Sequence, residues 1–164
     1  ALNSLRTSTT ERNDLAEALK RTTESGIVPS SMTVNFSVVG DPREMHPIVR
    51  DEIYRVGYEA IRNAYMHSRA TQVQVELRYA QDLVVRVSDN GVGIDPAVVE
   101  KGKPGHFGLQ GMRERVARIE GKLKIVSSVT SGTEVTVIVP GRMVFRKPSV
   151  APTEMIKRLL KRKS

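Results

Sequence analysis

The chain has 164 residues, no cysteine and a formal charge of +8. That is the length of one domain with short appendages, enough to bury a core, and the absence of cysteine excludes a disulfide framework or a thiolate metal site. No apolar run approaches a membrane span, and the opening ALNSLRTSTTERNDLAEALKR lacks the apolar core of a signal peptide, so a cytoplasmic location is expected.

Residues 1–21 read as a polar helix with Leu2, Leu5, Leu15 and Leu19 as sparse apolar positions, ended by Glu24-Ser25-Gly26-Ile27-Val28-Pro29. Met32 to Val39 alternates as a strand, and Gly40-Asp41-Pro42 is a turn. Pro47 to about Ser68 is a long helix with Ile48, Ile53, Val56, Ala60, Ile61 and Ala64 as its apolar stripe. Strands follow at 71–79 and 83–88, paired across Ala80-Gln81-Asp82. A polar loop runs from Asp95 to about His106. A helix over 109–119 carries Met112, Val116 and Ile119 on one face, with Gly121 as its C-terminal cap. Lys122–Ser127 and Glu134–Val139 form a hairpin. The sum is an antiparallel-rich sheet covered by helices, a two-layer α/β sandwich. From Arg142 onward there are eight basic residues and one acid, Glu154, so the charge belongs to the tail and the body is nearly neutral. That distribution, and an aromatic content of 4%, argue against nucleic-acid binding by the body. Thr153–Lys163 sets Met155, Ile156, Leu159 and Leu160 against lysines and arginines; it reads as a disordered, solvated extension, or else a surface for an acidic partner or a membrane.

Four segments bear on chemistry. Asp89-Asn90-Gly91-Val92-Gly93-Ile94 follows a buried strand. Its glycines permit positive φ or close backbone approach, and its Asp could accept from an amino group such as that of adenine. Alone, Asp-Asn-Gly reads first as a hairpin turn. Glu59, Asn63 and His67 are spaced four apart and share a helix face, which by spacing alone is the helix's solvated side. The third segment is Gly105-His106-Phe107-Gly108-Leu109-Gln110-Gly111-Met112-Arg113-Glu114-Arg115, where a helix N-terminus offers amides and a dipole suited to phosphate. The fourth is Ser131-Gly132-Thr133-Glu134-Val135-Thr136, at a strand entrance.

In order and spacing these four segments resemble the N box and three glycine-containing boxes of the GHKL ATPase superfamily, which includes histidine kinases and gyrase-type, heat-shock and mismatch-repair ATPases. The resemblance spans about residues 48–140. The run at 105–115 is similar to the G-x-G-L-x-G-M-x-E-R run of bacterial sensor histidine kinases of the nitrate-sensor group, with Phe107 intervening before Gly108. The resemblance implies a Bergerat fold with ATP held between helices and sheet. It implies that Asn63 binds Mg²⁺, a hard ion that prefers oxygen donors, and that Glu59 acts as or near the general base. Asp89 would read adenine, with Gly91 and Gly93 flanking the base and Ile94 as a pocket wall. Asn90 would help with ribose or Mg²⁺. Residues 95–108 would be an ATP lid in which Lys101 and Lys103 reach phosphate, unless both are ordinary solvated lysines. Gly105, Gly108, Leu109 and Gly111 would shape the phosphate end. Arg113 and Arg115 would assist there, unless Arg115 faces solvent or pairs with Glu120. The Thr133 hydroxyl would bond a base-side water or Asp89. His67 is either a donor near phosphate or a surface histidine.

The same resemblance divides the chain into the end of an upstream linker or dimerisation helix (1–26), the ATP-binding catalytic domain (27–141) and a basic tail (142–164). No histidine here has a phosphoacceptor context; His46 precedes Pro47, which disfavours a helix interior. The expected partners are therefore a phosphoacceptor histidine domain of the same full-length protein and a response-regulator receiver domain. Dimerisation is expected only in the full-length protein, and the location is cytoplasmic or the cytoplasmic portion of a membrane-bound sensor. Rival expectations are an anti-sigma-factor-type serine kinase, a non-catalytic nucleotide-binding interaction module, and a nucleic-acid binder using the tail.

Overall fold

The computed structural model describes residues 14–95, 97, 107–147 and 152–161. The elements are α1 (Leu15–Thr22), a π-helical turn (Thr23–Ile27), β1 (Thr33–Val39), α2 (Pro47–Met66), β2 (Gln72–Tyr79), β3 (Leu83–Asp89), α3 (Phe107–Arg118), β4 (Lys122–Ser128), β5 (Gly132–Val139), α4 (Gly141–Val144) and α5 (Pro152–Lys161).

The five strands form one mixed sheet in the order β1-β2-β3-β5-β4. β1 and β2 are parallel because α2 carries the chain back between them; the other neighbours are antiparallel. The strands alternate in burial. Val73, Val75, Leu77 and Tyr79 of β2 register with Asp89, Val87, Val85 and Leu83 of β3, and this row faces the helices. The opposite row, with Gln74, Glu76, Arg78 and Arg86, is polar. This is the two-layer α/β sandwich expected from the sequence.

The helix α2 buries Val49, Ile53, Val56, Gly57, Ala60, Ile61 and Ala64. Ile48 does not belong to that stripe: it is 79% exposed, and Val49 takes its place. The two positions differ by about 100° around the helix, enough to turn one side chain out and the next one in. Packing also passes both boundaries expected at 26 and 141. Asp14 caps α1, accepting from the amides of Ala16 and Glu17. Leu15 and Leu19 are fully buried in the common core. Leu19 fits against Gly57, where a Cβ would stand 3.2 Å from either of its methyls. At the other end, Val144 and Phe145 are core residues. Phe145 bridges to Met45 and stacks on Tyr79, with the Arg43 guanidinium 4.1 Å above its ring.

Gly26 (φ 89°) breaks the first helix as expected. The expected cap at Gly121 is displaced by one residue: Glu120 holds the left-handed position (φ 54°), while the Gly121 amide donates to the Val116 carbonyl at 2.9 Å. The tail is not a disordered extension throughout, since Pro152–Lys161 is the helix α5. Residues 1–13, most of the expected lid and 162–164 lie outside the described residues.

Candidate nucleotide-binding site

The strand β3 ends on Asp89, whose Oδ1 accepts from the Gly91 amide at 2.8 Å and from the Thr133 amide at 3.3 Å. The carboxyl is pushed above its ordinary range, first by burial; the Gly91 and Thr133 amides and the Ser68 hydroxyl pull the other way. These bonds fix the direction of the carboxylate and leave it further acceptor capacity, since an ionised carboxylate has about four lone-pair sites.

Ser68 sits at the centre of the site and carried no signal in the sequence. It is 1% exposed, immediately beyond α2. Its carbonyl accepts from the Val92 amide at 2.9 Å, and its amide donates to the Asn63 carbonyl at 3.2 Å. Its hydroxyl is 3.5 Å from the same Asn63 oxygen, a long contact, and also helps to hold down the Asp89 carboxyl. The glycines beside it have separate reasons. A Cβ at Gly91 would stand 2.3 Å from the Ser68 carbonyl oxygen, so close approach excludes a side chain there. Gly93 has φ 77°, and its Cβ would also meet the Ser128 carbonyl at 2.5 Å. Ile94 packs against the core while its amide donates to the Ser127 hydroxyl.

Two side chains in this region are committed elsewhere than to the partners first considered for them. The Thr133 hydroxyl does not reach Asp89: it pairs with Ser127 Oγ at 2.9 Å, and the Thr133 backbone amide makes the bond to Asp89. Asn90 is not aimed at a ligand. Its Oδ1 accepts from the amides of Thr71 and Gln72, and its Nδ2 donates to Thr71 Oγ1, so it ties the entry of β2 to the exit of β3.

The helix α3 begins at Phe107, two residues before the expected start, and brings Gly108 against the polar row of α2. A Cβ at Gly108 would stand 3.1 Å from Glu59 Oε2 and 3.7 Å from both Asn63 amide atoms. The first turn of α3, the positive end of its dipole, thus lies directly on Glu59 and Asn63. Glu59 is 28% exposed and lies 3.8 Å from Arg62 Nη1. The half-buried Asn63 carboxamide makes no hydrogen bond among the described residues. His67 is exposed at the C-cap of α2, its amide donating to the Asn63 carbonyl.

Leu109 is buried with Met112 and Val116, so its part is to anchor α3 in the core. A Cβ at Gly111 would meet nothing within 4 Å, so packing does not require glycine there. Arg115 pairs with Glu52 at 3.3 Å, as does Arg118 at 3.7 Å, while Glu120 pairs with Arg142. Glu52, a further residue the sequence did not single out, thereby clamps α2 to α3 away from Asn63. Lys101, Lys103 and Gly105 lie outside the described residues.

Residues 48–143 match the family described as histidine kinase-, DNA gyrase B- and HSP90-like ATPases. The chain belongs to this family. Among curated relatives it is 32% identical over 110 residues to the signal transduction histidine-protein kinase/phosphatase DegS of Bacillus subtilis, covering 65% of this chain and 29% of that protein. It is 40% identical over 93 residues to the sensor protein VraS of Staphylococcus haemolyticus, covering 56% of this chain and 26% of that one. The chain therefore spans less than a third of the length of these relatives. In fold it is similar to the histidine kinase domain of the blue-light-activated kinase of Erythrobacter litoralis, with TM-score 0.62, 22% identity, and coverage of 77% of this chain and 60% of that one. It is similar also to the histidine kinase AdeS of Acinetobacter baumannii, with TM-score 0.61, 16% identity, and coverage of 77% and 62%. Membership of this family of ATPase domains implies that the domain binds ATP.

Proposed function

We propose that this chain is the ATP-binding catalytic domain of a sensor histidine kinase, and that it donates the γ-phosphoryl group of ATP to a histidine on another domain of the full-length protein. The observation that carries this reading is the continuity of the site. Asn63 connects through Ser68 to Asp89 and Gly91, and the first turn of α3 closes over Glu59 and Asn63. The Asp89 end of this run reads a base and the Glu59–Asn63 end meets phosphates.

The residues present fit Mg²⁺-ATP. The uncommitted Asn63 carboxamide offers Mg²⁺ a hard oxygen at the phosphate end. Asp89, held by two backbone amides, accepts from the exocyclic amino group of adenine. Gly91 and Gly93 let the backbone lie flat beside the base, with Ile94 as its wall. The α3 amides near Gly108 neutralise phosphate charge, and His67 is placed one turn beyond Asn63 to assist. Glu59 orients the incoming imidazole or takes its proton. Bound Mg²⁺-ATP supplies the phosphoryl group and its electrophilic phosphorus; the protein supplies position and electrostatics. The phosphoryl group then passes to an aspartate of a response-regulator receiver domain. The full-length protein acts as a dimer with this domain in the cytoplasm; among the described residues no helix is long and apolar enough to cross a membrane.

The test is transfer from radiolabelled ATP to an added phosphoacceptor domain. The expected product is acid-labile and base-stable, as phosphohistidine is. An acid-stable phosphoserine product, or no transfer by a chain that binds ATP, would overturn the reading.

A further inference from the structure

The helix α5 is amphipathic, and its apolar side is uncovered. Ile156, Leu159 and Leu160 are 56%, 61% and 64% exposed. They fall within an arc of about 100° on a helix of 3.6 residues per turn. Lys157, Arg158 and Lys161 occupy the rest of the circumference; they too are exposed and make no ion pair among the described residues. Earlier in the same basic stretch Arg142 and Arg146 are matched by Glu120 and Glu44, each at 3.0 Å. Glu154 is the only acid after Arg142, and Arg162 and Lys163 extend the basic run in sequence.

A helix of ten residues has little stability in water by itself. Its apolar stripe has helical spacing, yet the protein's own core does not use it. We propose that α5 is a docking helix for an anionic lipid surface. The apolar residues would enter the boundary between headgroups and acyl chains while the lysines and arginines meet lipid phosphates and carboxylates. The charge and the stripe together select this occupant. A nucleic acid would use the cations and leave Ile156, Leu159 and Leu160 in water. A second copy of α5 would bury the stripe but bring like charges together. An anionic bilayer satisfies both faces of one short helix. This inference is independent of the nucleotide site, because α5 contributes nothing to it.

The experiment is co-sedimentation of the full chain with vesicles of phosphatidylcholine alone, or with about one third phosphatidylserine. Leu159→Ser/Leu160→Ser is the comparison, and ADP binding is the folding control. The expected result is at least about tenfold stronger partition onto the anionic vesicles, weakened by salt. The double variant should lose at least about tenfold with ADP affinity unchanged. A gain in helical circular dichroism should accompany lipid binding. Equal partition onto both vesicle types, no partition, or anionic binding that survives the double substitution would overturn the proposal. Self-association without lipid that the double variant abolishes would also overturn it, in favour of a second copy. Binding to duplex DNA or an acidic peptide as tight as to vesicles and kept by the double variant would show a general polyanion site instead.

Discussion

Ser68 occupies the space that a side chain at Gly91 would need: a Cβ there would lie 2.3 Å from the Ser68 carbonyl oxygen and 2.5 Å from its Cβ. The same carbonyl accepts from Val92, so the loop is both crowded against α2 and hydrogen-bonded to it. The glycine is thus required by proximity, and the loop's position is set by the end of α2. Gly91→Ala should shift the loop and the Asp89 carboxylate with it. The expected outcome is a loss of ADP affinity of at least about tenfold in calorimetric titration, with a stability cost of about 1–3 kcal/mol.

Asp89→Asn should separate binding from folding. Burial raises the Asp89 carboxyl in the native state. Protonation therefore favours the fold: this contribution is fully present below the ordinary carboxylate pKa and is lost as pH rises through the raised value. At neutral pH the charge opposes folding, and the neutral amide keeps an oxygen for the Gly91 and Thr133 amides. The melting temperature of Asp89→Asn at pH 7 should equal or exceed that of the wild type, and this residue's part of the acid pH dependence should vanish. ADP binding should nevertheless be abolished. A variant that melts lower and still binds would contradict both assignments.

Asn63→Ala should remove the Mg²⁺-dependent part of nucleotide affinity and spare the rest. Titration with ADP in the presence of Mg²⁺ and then with a chelator measures the two parts. The expected outcome is a variant whose affinity in chelator matches the wild type and no longer rises when Mg²⁺ is added.

Leu19→Ala tests whether α1 belongs to the body. Leu19 is fully buried against Gly57 of α2. Truncation should cost roughly 2–5 kcal/mol in urea unfolding, as a core leucine does. Asp14→Ala, which removes only the cap, should cost about 1 kcal/mol. A helix merely attached to the domain would give values near zero for both.

Tyr79 is pushed up to about 12, first by burial and then by the negative charge of Asp14. The protonated phenol favours the folded state. That contribution is complete below the unfolded value of 10.0 and is lost as pH rises through about 12. Tyrosinate absorbance should show one late ionisation coinciding with alkaline unfolding. Tyr79→Phe should remove that step and keep the fold at neutral pH.

Local pattern in the sequence determined the strands, the long helix and the hairpin, because alternation and helical spacing register which face of each element is apolar. Spacing alone did not mark Glu59, Asn63 or Asp89, which read singly as a solvated helix face and a turn; the order of four motifs along the chain, and the family resemblance it carries, singled them out. Local pattern placed Ile48 on the wrong side, where both Ile48 and Val49 are apolar and only the docking angle of α2 selects between them. It underrated Leu15 and Leu19, because two leucines on a polar helix carry weight only once Gly57 provides the notch that receives one of them. Tertiary structure alone decided that Ser68 joins Asn63 to Asp89, that Asn90 fastens two strands, that Thr133 meets Asp89 through its amide, and that Arg115 turns to Glu52. Each of these is a contact between residues distant in sequence or a choice among donors on one residue. Composition and periodicity hold no information about either; the relative placement of packed elements does.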